Sequence, residues 1–230
     1  MKKVWWKILC VLLLVYAMVG GLLVKIPNLP VLGETIRNLF YHVGMWAAMF
    51  VLFTCSLVHS IRYLNKNNLK NDIAASKYAS TGIVFGLLGY ATGAVWASYT
   101  WADPNNPAFD SFSAVAREPK LIGTAVALLI YFAYFILRNS IQDMDQRAKI
   151  SAVYNIFAFA MLFPTIMVIP RLLPSLHPGR EGNPALNFKD TSPEMRMIEY
   201  PAFIGWALLG VWITSLKIRM GYLKEKQFIK

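Results

Sequence analysis

Residues 39–61 read LFYHVGMWAAMFVLFTCSLVHSI, 23 positions without a charged side chain. A helix needs about 20 mostly apolar residues to cross the hydrocarbon core of a bilayer. Five more blocks approach that length: Ile8–Val24, Ile73–Tyr99, Leu121–Leu137, Ile150–Ile169 and Ile198–Leu216. Together the six take up most of the 230 residues and leave no room for a separate soluble domain. The expected fold is all-α, a single polytopic integral membrane domain over residues 1–230 with six transmembrane helices. Composition agrees: the chain is 57% hydrophobic and 15% charged, whereas a soluble domain carries about 25% charged residues.

The net charge of +11 would suit nucleic acid if it were gathered on one face. It is instead dealt out by segment. If the N-terminus is inside, the inner segments hold 15 of the 23 basic residues, among them Lys2, Lys3, Arg62, Lys66, Arg138, Arg147 and the basic tail from Lys217. The outer loops are longer and hold eight. The positive-inside rule then places both termini in the cytoplasm, in a bacterial inner membrane crossed six times. No nucleic-acid partner is expected.

Met1-Lys2-Lys3 before an apolar run imitates a secretion signal. The run of about 17 residues exceeds an ordinary signal core and no A-x-A site follows, so an uncleaved first helix is expected. Cys10 and Cys55 both fall inside spans, 45 positions apart, where lone cysteines act as small apolar residues.

Span three carries Gly82, Gly86, Gly89 and Gly93 at steps of four, three and four. Small residues at that spacing let helix backbones approach closely in lipid, which predicts a packing seam. The few acidic residues lie mainly in loops, so no proton or ion relay is expected. Walker, zincin, nucleophile-elbow and dinucleotide motifs are absent.

Two outer loops stand out. Residues 100–120 are polar and broken by Pro104, Pro107 and Pro119; the loop and its flank carry Trp96, Tyr99, Trp101, Phe109, Phe112 and Arg117. Residues 171–199 form the longest loop and contain His177 among four prolines. Trp96 and Trp101 taken singly are ordinary interfacial aromatics.

Of three histidines, His42 opens span two on the same outer face as His177, while His59 lies 17 residues further along the same span. At about 1.5 Å rise per residue that is roughly 25 Å, across the membrane. Two neutral imidazoles beside an aromatic shelf suit a planar metal macrocycle. Haem iron accepts imidazoles on opposite faces, its ring wants flat apolar contacts, and its propionates want cations. His42 and His177 are the expected iron ligands, the aromatic loop the shelf, and Arg117, Lys120 or Arg180 the cations. Zinc fits less well, because a structural site takes four nitrogen or sulfur ligands and the outer face has no cysteine.

These residues give the chain a family likeness. Phe40-Tyr41-His42-Val43, then Thr92-Gly93-Ala94-Val95-Trp96 with Thr100-Trp101, then Arg117 before an apolar span, then His177, resemble the haem-handling C proteins of cytochrome c maturation over most of the chain. The resemblance implies a non-enzymatic six-span protein that transiently holds haem b at the outer face. It also implies two kinds of partner, a small membrane-anchored haem chaperone and the subunits of an ATP-binding transport complex. One stretch departs from the family. Its signature continues with several tryptophans and an aspartate, where this chain has none after Trp101 until Trp206 and offers Phe109, Asp110 and Phe112. Two other readings stay open at this point: a membrane b-type cytochrome exchanging electrons with quinone, and a structural subunit without cofactor.

Overall fold

The computed structural model describes residues 4–26, 32–101, 111–175 and 191–228, and among these it is helical throughout, without strands. The order is α1 (Trp5–Leu23), a 3-10 turn (Gly33–Asn38), α2 (Leu39–Lys66), α3 (Leu69–Thr100), α4 (Ser111–Arg117), α5 (Pro119–Ser140), α6 (Met144–Leu162), a π-helical segment (Phe163–Val168), α7 (Ile169–Leu172) and α8 (Pro193–Phe228). Six of the resulting helices are long and apolar enough to cross a membrane.

The structure lengthens the expected spans and moves two loop boundaries. The last apolar block, Ile198–Leu216, lies within a longer helix: α8 begins at Pro193 and carries Pro201 within it. A membrane helix tolerates such a proline because neighbouring elements re-satisfy the freed carbonyl. The segment 100–120 likewise contains α4, and the first outer connection contains the 3-10 turn.

Helix ends follow local chemistry. Between α2 and α3 only Asn67 and Asn68 intervene. Asn67 adopts a left-handed conformation (φ 48°) and its N–H donates to the Tyr63 carbonyl at 2.7 Å, as a helix stop requires. The Asn68 side chain then accepts from the Lys70 N–H at 3.0 Å and starts α3. Asp143 caps α6 through the Gln146 N–H at 2.7 Å. Glu118 caps α5 ahead of Pro119, the position where a missing N–H costs nothing.

The expected glycine seam is present and has a register. A Cβ on Gly82 would meet the Phe53 ring at 2.6 Å, one on Gly86 the Met49 Sδ at 2.9 Å, one on Gly89 the Trp46 indole at 3.0 Å and one on Gly93 the His42 ring at 2.5 Å. Four large α2 side chains thus sit on four bare positions of the antiparallel α3. Phe53 also stacks on Tyr131 of α5, centroids 3.7 Å apart.

Polar contacts join the bundle at the end away from His42. Asn155 of α6 is fully buried and donates to the Ser56 and Ser60 hydroxyls of α2 at 2.7 and 2.8 Å, and Ser56 donates to the Ala75 carbonyl of α3 at 2.7 Å. Arg138 of α5 makes a two-pronged pair with buried Asp72 of α3, both bonds 2.6 Å. Asp72 lies in the first turn of α3 and Arg138 in the last turn of α5, where the helix dipoles favour these charges. Cys10 and Cys55 are both free thiols. Cys10 is a small residue at the contact of α1 with α8, its Sγ 3.6 Å from the Gly205 carbonyl.

Candidate functional site around His42

His42 lies in the first turn of α2, half-buried, with the end of α3 beside it. Its Nδ1 is 3.2 Å from the Thr92 Oγ1, and the Trp46 Nε1–H donates to its Nε2 at 3.2 Å. An indole N–H can only donate, so Nε2 is an acceptor and carries no proton. The proton of a neutral imidazole is then on Nδ1 and goes to Thr92. Thr92 can accept it, because its own hydroxyl donates to the Leu88 carbonyl at 2.8 Å. The chain of donors runs in one direction and fixes the tautomer. In metalloproteins at large, a second partner of this kind orients an imidazole whose other nitrogen is the ligand.

Aromatic edges frame the ring. Trp46 and Trp96 both meet His42 edge-on, with centroids 6.0 Å away in each case and planes at 82° and 71°. Trp96 is held by its Nε1–H donating to the Thr35 Oγ1 at 3.0 Å, and Thr35 in turn donates to the Leu32 carbonyl. Asn38 bonds the Thr92 carbonyl at 3.4 Å. Arg37 pairs with Glu34 at 2.6 Å and donates to the Gly21 and Val24 carbonyls at 2.7 and 2.9 Å. The 3-10 turn is therefore tied to α1 on one side and to α3 on the other, closing the end of the bundle around His42.

In Gly93→Ala the new methyl would fall 2.5 Å from the His42 Cε1, so the imidazole must swing off Thr92. Thr92→Ser keeps the acceptor and serves as control. The expected readout is loss of the fixed Nδ1–H tautomer in imidazole nitrogen NMR shifts for Gly93→Ala, with the serine variant unchanged.

A heme exporter protein C from Paracoccus denitrificans (strain Pd 1222) is 24% identical to this chain over 121 residues. The match takes in 53% of this chain and 46% of that protein, so the chain spans about half the length of the relative it matches. No family model matches the chain.

The sequence-derived site residues fall unequally. His42 and Trp96 are brought together. Trp101 caps α3, its backbone N–H donating to the Ala97 carbonyl at 2.9 Å. Arg117 is exposed at the end of α4. Next to it Glu118 is buried and accepts from the Ser175 hydroxyl. Phe112 belongs to α4, but its side chain is outside the described residues, as are Phe109 and His177 altogether. His59 is distant from the site, bonded to Asn71 at 3.0 Å and stacked on Tyr78. No group of three or more metal-ligating side chains occurs among the described residues.

Sequence reasoning missed Trp46 and Thr92 as neighbours of His42, and Thr35 and Asn38 as the residues that brace Trp96 and Thr92. Trp46 had a signal, since positions i and i+4 share one helix face. The others depend on helix pairing. Also unforeseen is Glu199 of α8, fully buried on the turn of Ile198 and Ala202, with neither carboxylate oxygen hydrogen-bonded among the described residues.

Proposed function

We propose that this chain is a non-enzymatic haem-handling protein of a bacterial inner membrane, holding haem b transiently at the outer face for cytochrome c biogenesis. The observation that carries the reading is the His42 imidazole, neutral, oriented by Thr92 and presenting an unprotonated Nε2 among indole edges. Haem iron supplies an open axial position that takes such a nitrogen. Distant similarity to heme exporter protein C supports the same reading. The basic distribution supports an orientation with both termini cytoplasmic and the His42 end outward.

In this reading His42 is one ligand and His177 the second. Trp96, Trp101, Phe109 and Phe112 supply ring contacts, and Arg117, Lys120 or Arg180 supplies charge for the propionates. The partners are a membrane-anchored haem chaperone and the subunits of an ATP-binding transport complex. A quinone-linked cytochrome is less well supported, because the two described histidines, His42 and His59, share one helix instead of facing each other across the bundle.

The test is the absorption spectrum of purified protein loaded with haem. The wild-type chain is expected to show a Soret band shifted by imidazole ligation. His42→Ala and His177→Ala should each weaken occupancy, and the double variant should abolish it, because two bonds to one iron act jointly. Undiminished haem in the double variant defeats the reading.

A further inference from the structure

We infer that Trp46 is a displaceable cap on the iron-binding nitrogen of His42, so that haem must first move an indole aside. The inference rests on the reading of His42 as a haem ligand and extends it to a residue that controls ligation. An imidazole nitrogen without a proton has one in-plane lone pair. It can accept one N–H or bond one metal, and it cannot do both. In the structure that lone pair receives the Trp46 Nε1–H at 3.2 Å.

The neighbouring contacts make the cap specific. Trp46 stands one turn beyond His42 on the same helix, so α2 itself holds the two in reach. Its indole rests on Gly89, whose absent side chain leaves room: a Cβ there would lie 3.0 Å from the Cε2 and 3.3 Å from the Nε1 of Trp46. The second indole beside His42 is engaged elsewhere, because the Trp96 N–H goes to Thr35. Of the two tryptophans that meet this imidazole edge-on, only Trp46 therefore caps Nε2. Thr92 holds the opposite side of the ring and does not compete for that nitrogen. Exchange of an N–H bond for an iron bond leaves the imidazole orientation in place. The same exchange run backwards gives the protein a built-in competitor that favours release, as a carrier needs.

The test uses the full-length protein in detergent, first without haem. Diethyl pyrocarbonate acylates an imidazole nitrogen through its lone pair, and peptide mass spectrometry resolves the three histidines. Trp46→Phe keeps a ring over Gly89 and removes the N–H. It is expected to speed acylation of His42 about two- to tenfold, the range that one ordinary hydrogen bond converts to. His59, remote from the change, should react at an unaltered rate. Haem titration of the same variant should show affinity raised by a similar factor. A His42 acylation rate equal to wild type, or haem affinity unchanged or lowered, overturns the cap.

A second measurement needs no Trp46 substitution. With 15N-labelled indoles, His42→Ala should move the Trp46 N–H signal of the haem-free protein to the position of an indole that has lost its acceptor, while the Trp96 N–H keeps its bond to Thr35, and no such movement of the Trp46 signal also overturns the cap. Failure of the underlying reading looks different: haem affinity would be the same in His42→Ala as in wild type, while the haem-free acylation result still judges the cap.

Discussion

Arg138→Met is expected to cost about 3–5 kcal/mol of stability, because it leaves the Asp72 carboxylate buried without its partner. The two bonds of 2.6 Å place both oxygens of Asp72 on one guanidinium, and the carboxylate side chain is only 6% exposed. Asp72→Leu alone should be similarly damaging, since it strands the cation. The double variant Asp72→Leu, Arg138→Met should regain most of the loss, because replacing a buried pair by apolar groups is often neutral. Unfolding in mixed detergent followed by circular dichroism gives the comparison. Single variants as stable as wild type would mean that water reaches the pair freely.

The second large effect is expected at Gly123. An added Cβ there would lie 2.0 Å from the Thr165 carbonyl oxygen and 3.0 Å from its carbon. Helix propensity by itself favours alanine over glycine by about 1 kcal/mol. The obstacle, however, is the backbone of the π-helical segment, which cannot rotate away as a side chain can. Pro164, with no N–H to give, stands beside Thr165 at the start of that segment, and Pro170 follows in α7. Gly123→Ala should therefore destabilise by about 1–3 kcal/mol, the range for overpacking. A gain in thermal stability would show that α5 and the π segment separate easily. Gly93 contrasts with this site, because its nearest obstacle is the far edge of a ring.

The spans were legible because lipid rewards long apolar runs directly, and Leu39–Ile61 needs no partner to be recognised. The glycine stripe of α3 was legible for a related reason: its spacing is a property of one helix. What it would pack against was not, since Phe53, Met49, Trp46 and His42 line up with it only through the register of the hairpin. The Asp72–Arg138 pair was hidden by its position. Each residue sits one place beyond an apolar block, where a charge reads as an end marker. The start of α8 was hidden because Pro193 falls in the polar stretch ahead of the Ile198 block. At the candidate site the sequence singled out His42 and Trp96 but not the proton order that runs from Trp46 through the imidazole to Thr92. That order depends on distances between two helices.

The tight Asn67-Asn68 connection bears on how the protein is made. Every partner of the His42 imidazole described above, Trp46, Thr92 and Trp96, together with the Thr35 and Asn38 that brace them, is encoded before residue 100. A ribosome delivering the chain in order therefore supplies all five of these residues once α2 and α3 have entered the bilayer as a pair. The second half of the polypeptide, with α4 to α8, arrives after the Trp46 and Thr92 bonds to this histidine have both of their partners.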